Sequence, residues 1–95
     1  MRMYSIVLSN SARRYLKKLS HSGAFNSATL HKVMHLLESG EPLPEKFKDH
    51  RLHGEFSHLR EFHLGFNLLV LYERDDVLRI ITVSDIGTHP ELFGE

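Results

Sequence analysis

Residues 59–83 read LREFHLGFNLLVLYERDDVLRIITV, three apolar-patterned segments separated by turn residues. In the first, Arg60, Phe62 and Leu64 alternate with Glu61 and His63, the period of two that a half-buried strand requires. The second, NLLVLYE, is a near-continuous apolar run of the kind found in central strands, and VLRIITV reads as a third strand. Gly65 with Phe66, and the Arg74–Asp76 stretch, mark the turns between them. Sequential strands joined this tightly pair antiparallel.

Working outward, Tyr4, Ile6 and Leu8 alternate in MYSIVLS and predict a strand at the N-terminus. Ser9 or Asn10 can cap a helix in which Ala12, Tyr15, Leu16 and Leu19 form the apolar stripe, with Arg13, Arg14, Lys17 and Lys18 on the opposite side. SHSGAFNS interrupts this helix. Asn26 or Ser27 caps a second one, whose stripe is Leu30, Val33, Met34 and Leu37, and Gly40 with EPLPE ends it. The order β-α-α-β-β-β predicts an α+β fold: a small antiparallel sheet packed against two N-terminal helices. Val7, Ile81 and Val83 are expected to give the second sheet face some apolar positions. The closing GTHPELFGE reads as a polar tail carrying a lone Phe93. With neither repeat nor linker, residues 1–95 are expected to form a single domain.

Composition narrows the function. Ninety-five residues leave no room for a second core, and 41% hydrophobic with 25% charged residues is ordinary globular composition. Without cysteine there is neither a disulfide framework nor a thiolate metal site, which suits a reducing cytosol. The N-terminal apolar run is too short for a signal peptide, and no stretch approaches the roughly 18 apolar residues of a membrane span. The expectation is a soluble cytoplasmic protein with no membrane partner. Twelve basic and twelve acidic residues cancel, so the chain as a whole has no pull on nucleic acid. Their distribution is uneven. Residues 1–37 carry Arg2, Arg13, Arg14, Lys17, Lys18 and Lys32 without one acid, and acids dominate residues 61–95.

Eight histidines raise the question of chemistry, and four of them (His50, His53, His58 and His63) lie within residues 49–63. A metal site could use His31 and His35, four apart on the second helix, with Glu38. However, HKVMH lacks the glutamate of a metalloprotease motif, and these residues also form the wet side that the Leu30 stripe demands. No metal and no cofactor is expected. Acid–base work fits the other cluster better: strand alternation puts Glu61 and His63 on one face while Phe62 points into the core. Cleavage of RNA by its own 2′-hydroxyl needs one base and one acid near neutrality and no metal. Arg60, Lys48 or Arg51 could offset the charge of the phosphorane. The same pattern equally fits a cross-strand polar pair on a solvated face.

LPEKFKDHRLHGEFSHLREFHL, an apolar strand ending in Tyr72, and GTHPELFG together resemble the YafQ branch of the RelE/ParE toxin superfamily, over residues 42–94 by motif. The resemblance implies a ribosome-dependent messenger-RNA endonuclease of a type II toxin–antitoxin system. Its partners would be a cognate antitoxin and messenger RNA on the ribosome, with operator DNA reached only through the antitoxin complex. It implies proton transfer by His50 and His63, a general acid or base at His89, and base stacking by Phe93. The basic helix face of Arg13, Arg14, Lys17 and Lys18 becomes a candidate RNA contact.

Glu61 stands where the family usually has aspartate. Asn67 replaces an aspartate of the acid–base network, and an amide cannot exchange a proton. TVSDIGTH is about two residues longer than its family counterpart and lacks an arginine often found there. His53 and His58 match no functional position. A second reading follows from these departures, in which a toxin fold with weakened catalysis serves as an antitoxin-binding module in transcriptional control.

Overall fold

In the computed structural model, which describes residues 3–22, 26–65 and 67–94, five strands form one sheet. They are β1 (Ser5–Leu8), β2 (His50–Arg51), β3 (Arg60–His63), β4 (Leu69–Asp75) and β5 (Ile80–Gly87), in the spatial order β1-β5-β4-β3-β2. From β2 to β5 every pairing is antiparallel, as the short connections require. β1 instead lies parallel to β5, with Ile6 opposite Ile81 and Leu8 opposite Val83. The sheet of this α+β fold is therefore mixed at one edge rather than antiparallel throughout.

The helices α1 (Asn10–Ser20) and α2 (Ser27–Ser39) start at the expected caps. Ser9 Oγ accepts from the Ala12 N–H at 3.0 Å and donates to the Ser84 carbonyl at 2.7 Å, so the cap also ties α1 to β5. Asn26 Oδ1 accepts from the Ala28 and Thr29 N–H groups. Ala12, Leu30, Val33 and Leu37 reach a core that they share with Tyr4, Phe62, Val70, Ile81, Val83 and Ile86. Burying a side chain of this size contributes about 1.5–3 kcal/mol. Among the described residues no helix is long and apolar enough to cross a membrane.

Three expectations are corrected in detail. Ile81 and Val83 have no exposed surface and face the helices, not the second face; Val7, opposite Thr82, does lie on the second face and is 48% exposed. That face takes its further apolar positions from Leu69 and Leu71, the cross-strand partners of His63 and Glu61. The last strand begins at Ile80 rather than Val77, because Asp75 Oδ1 accepts from the Val77 and Leu78 N–H groups and closes a turn that leaves both side chains in water. The supposed polar tail contains a helix, α3 (His89–Phe93). Of the other expected turn, Gly65 is exposed and Phe66 lies outside the described residues. A bulge interrupts β5 before Gly87, since Leu71 pairs with Asp85 but Tyr72 with Val83, leaving Ser84 without an opposite number.

Gly40 ends α2 at φ +79°, and a Cβ there would stand 3.1 Å from the Tyr4 ring. Gly40→Ala is expected to cost about 1–2 kcal/mol through the left-handed backbone and the crowding of Tyr4. Urea unfolding measures it, and an unchanged midpoint would contradict this account of the helix end.

Candidate active site

Phe62 has no exposed surface, so its strand neighbours Glu61 and His63 must point to the opposite face. Pairing of β2 with β3 sets His50 directly across from Glu61. One carboxylate oxygen, Glu61 Oε1, then lies 3.5 Å from Nε2 of His50 and 3.5 Å from Nε2 of His63. The two rings are 6.4 Å apart. Glu61 is 7% exposed and is the one buried charged residue among those described. A carboxylate taken from water needs compensation, and imidazoles that can carry positive charge stand on two sides of it. His50 Nδ1 is 2.7 Å from the Lys48 carbonyl. A carbonyl only accepts, so Nδ1 holds the hydrogen and Nε2 is the atom free to gain or lose a proton beside Glu61.

The third histidine arrives on α3. Thr88 caps this helix: its Oγ1 accepts from the Glu91 N–H at 3.4 Å, and Glu91 Oε1 accepts from the Thr88 N–H at 2.8 Å. Pro90 sits in the first turn, and Gly94 closes the other end at φ +74°. The pattern T-x-x-E with a proline inside and a glycine beyond is the local helix signal that GTHPELFG carries. Gly87 lets α3 pack closely, because a Cβ there would lie 3.2 Å from Leu92. The His89 and Phe93 rings are 5.0 Å apart, and the exposed Phe56 meets Phe93 edge-on at 5.7 Å. Phe56, which sequence reasoning missed, thus extends the aromatic surface.

Between β3, β4 and α3 lies a cleft of about 390 Å³ lined by Glu61, His63, Asn67, Leu69, Thr88, His89 and Pro90. It brings together two of the expected histidines, the carboxylate and Asn67, with His50 behind Glu61 and Phe93 beside His89. The cations distribute differently. Arg51 and Arg60 are cross-strand partners one position out of phase with His50 and Glu61, so they point to the helix-covered face. There Arg60 Nε meets Asp49 Oδ1 at 3.3 Å, and the same oxygen accepts from the Tyr72 hydroxyl at 2.7 Å. Arg51 Nε donates to the Ser57 carbonyl. Both line a separate cleft of about 570 Å³ at the end of α2. The expectation that they stand beside Glu61 and His63 to clamp phosphate is therefore corrected.

Lys48 is exposed and adjoins His50. Arg13, Arg14, Lys17 and Lys18 are exposed along α1, and Arg14 and Lys18 border a cleft of about 310 Å³ between α1 and α3. His31, His35, His53 and His58 are exposed and apart from the cleft. No three His, Asp or Glu side chains among the described residues are placed to hold a metal ion.

A sheet closed by helices on one face, with imidazoles and a carboxylate gathered on the other, defines a small α+β protein with a candidate site on its second face. Residues 4–94 match the family described as "Bacterial toxin of type II toxin-antitoxin system, YafQ", and the chain belongs to that family. It is 32% identical over 59 residues to the mRNA interferase toxin YafQ of Escherichia coli (strain K12), a match spanning 62% of each chain. Among solved structures it is similar to a metal-bound toxin from Helicobacter pylori, at 34% identity and a TM-score of 0.86 over 96% of this chain and 100% of that one. It is also similar to a chain of the E. coli DinJ–YafQ toxin–antitoxin complex, at 28% identity and a TM-score of 0.82 over 97% and 99% of the two chains.

The Tyr15 hydroxyl donates to Glu91 Oε1 at 2.7 Å. Burial first, then Glu91, pushes the phenol up to about 12, while the Thr88 N–H, joined by Tyr15, holds the Glu91 carboxyl below its ordinary 4.5. A carboxyl lowered by folding contributes fully above its unfolded value, and that contribution is lost as the pH falls through the folded one. Amide protection at Leu92 and Gly94 should therefore hold from neutrality down to about pH 5 and fall only in stronger acid. Hydrogen exchange measures this, and protection already lost at pH 5 would contradict the cap.

Proposed function

We propose that this protein is the toxin of a type II pair and cleaves translated messenger RNA on the ribosome by acid–base catalysis without a metal. The observation that carries the reading is one buried carboxylate flanked by His50 and His63, in a cleft that His89 and Asn67 complete. One imidazole takes the proton of the 2′-hydroxyl, and the freed oxygen attacks the neighbouring phosphorus. A second imidazole protonates the departing 5′-oxygen. The products are a 2′,3′-cyclic phosphate, or the 3′-phosphate formed from it by water, and a 5′-hydroxyl end. Glu61 orients its imidazoles and offsets the positive charge that one of them gains during transfer. Phe93, with Phe56 against it, offers a stacking surface for a base.

With Arg51 and Arg60 turned away, phosphate contacts fall to Lys48 and to Arg13, Arg14, Lys17 and Lys18 of α1. A cognate antitoxin would silence the toxin, as the E. coli relative crystallised with DinJ suggests by analogy. Operator DNA is reached only through that complex, and the ribosomal target places the reaction in the cytoplasm. Asn67 favours the second reading, an antitoxin-binding module with weakened catalysis, because an amide lines the cleft where a proton-exchanging group would serve.

Cleavage of a message in a cell-free translation reaction separates these readings. Wild type should cut only during translation, and His63→Ala and His89→Ala should each lower the rate by about 10²–10⁴-fold. Chelation that leaves the ribosomes working should change nothing; loss of cutting would refute metal-free chemistry, a direct concern because the H. pylori relative is metal-bound. Intact message with folded wild type, and cutting gained by Asn67→Asp, would establish the second reading.

A further inference from the structure

We infer that Tyr15 is a positioning residue for His89 and Phe93, holding the helix that carries them through its hydrogen bond to Glu91. The inference rests on the proposed nuclease reading, in which His89 acts on the substrate. α3 has five residues, far below the roughly 12–15 at which an isolated helix becomes even marginal. Its place must come from outside itself. Its attachments include the close packing of Leu92 on Gly87, the edge-on contact of Phe56 with Phe93, and the Tyr15 hydroxyl, which donates to Glu91 Oε1 at 2.7 Å.

The same oxygen accepts the Thr88 N–H, so a single atom both closes the cap of α3 and receives the tether from α1. The far end of that tether is fixed. Ser9, the cap of α1, donates to the Ser84 carbonyl at 2.7 Å, and the Ser9 N–H donates to the Val83 carbonyl at 3.0 Å. α1 is thereby anchored to β5, the strand that runs directly into Thr88 and His89. Strand, helix and tether form a closed loop of contacts around the base of α3.

Magnitudes separate positioning from stability. A hydrogen bond at the surface between two groups that water would otherwise satisfy adds little to folding. A displacement of about 1 Å in a reacting group can cost about 100-fold in rate. The sequence features that resemble the family leave Tyr15 out, and the apolar stripe of α1, which includes it, explains its ring but not its hydroxyl.

The test uses Tyr15→Phe, which keeps the ring and removes the donor, and Glu91→Gln, which keeps an oxygen acceptor able to close the same cap. In translation reactions with increasing ribosome–message complex, Tyr15→Phe should lower the maximal cleavage rate about tenfold while the half-saturating concentration stays within about twofold. Glu91→Gln should cleave within about threefold of wild type. In parallel, imidazole and aromatic-ring NMR signals of the free proteins should move for His89 and Phe93 in Tyr15→Phe, and stay in place for His50 on β2. Unmoved His89 and Phe93 signals, or a wild-type maximal rate in Tyr15→Phe, would overturn the inference. If wild type itself leaves translated message intact, the nuclease reading fails, while the NMR comparison still decides whether Tyr15 holds the helix.

Discussion

Phe62 cannot be in the core unless Glu61 and His63 are out of it, and the candidate site is built on that alternation. Fixing the face of β3 fixes its neighbours through the register: His50 comes opposite Glu61 from β2, and Leu71 and Leu69 come opposite Glu61 and His63 from β4. A slip of one residue would bury both polar side chains against α2 and expose Phe62. The apolar requirement that stabilises the fold is therefore also what gathers the imidazoles around the carboxylate. It equally explains why Arg51 and Arg60, equally close in sequence, stand on the wrong side for the same chemistry.

The two sheet faces carry separate duties. α1 and α2 close one of them, and there the largest fully buried side chains, Phe62, Ile81, Ile86, Val33, Val70 and Val83, interlock. The other carries α3 at its end, and the rings of His50 and His63 remain partly exposed on it while Glu61 is buried. Leu71 and Leu69 stand beside Glu61 and His63 on that face as their cross-strand partners, and all but His63 are buried. Glu61 stands 3.5 Å from two imidazoles rather than beside an arginine, because Arg51 and Arg60 occupy the other sheet face.

Elements with a long, regular pattern were legible in the sequence: both helices with their caps, and the β3 and β4 strands, follow from periodicity because burial on one face writes it. What escaped lacks that signature. β2 has two residues, too few to alternate, and α3 has five, too few for a stripe, although its capping residues were present. Val77 and Leu78 were apolar but served a turn, since Asp75 could satisfy two backbone donors there. The parallel pairing of β1 with β5 was invisible because a strand's pattern names its buried face and not its neighbour. Glu61, His63 and His89 were named from residue chemistry and resemblance, and the fold lines one cleft with them; the places of Tyr15 against Glu91 and of Phe56 against Phe93 are supplied only by the folded chain.

The central claim is that imidazoles, and not a metal-bound water, carry the reaction. The chemistry of the cut ends tests it most directly: message cleaved by the wild-type protein on translating ribosomes should carry a 2′,3′-cyclic phosphate or 3′-phosphate upstream and a 5′-hydroxyl downstream. A message bearing a single 2′-deoxynucleotide at the cut site should then stay intact. Ends with a 3′-hydroxyl and a 5′-phosphate, or cutting of the deoxy-substituted message, would contradict attack by the 2′-hydroxyl and the account built on it.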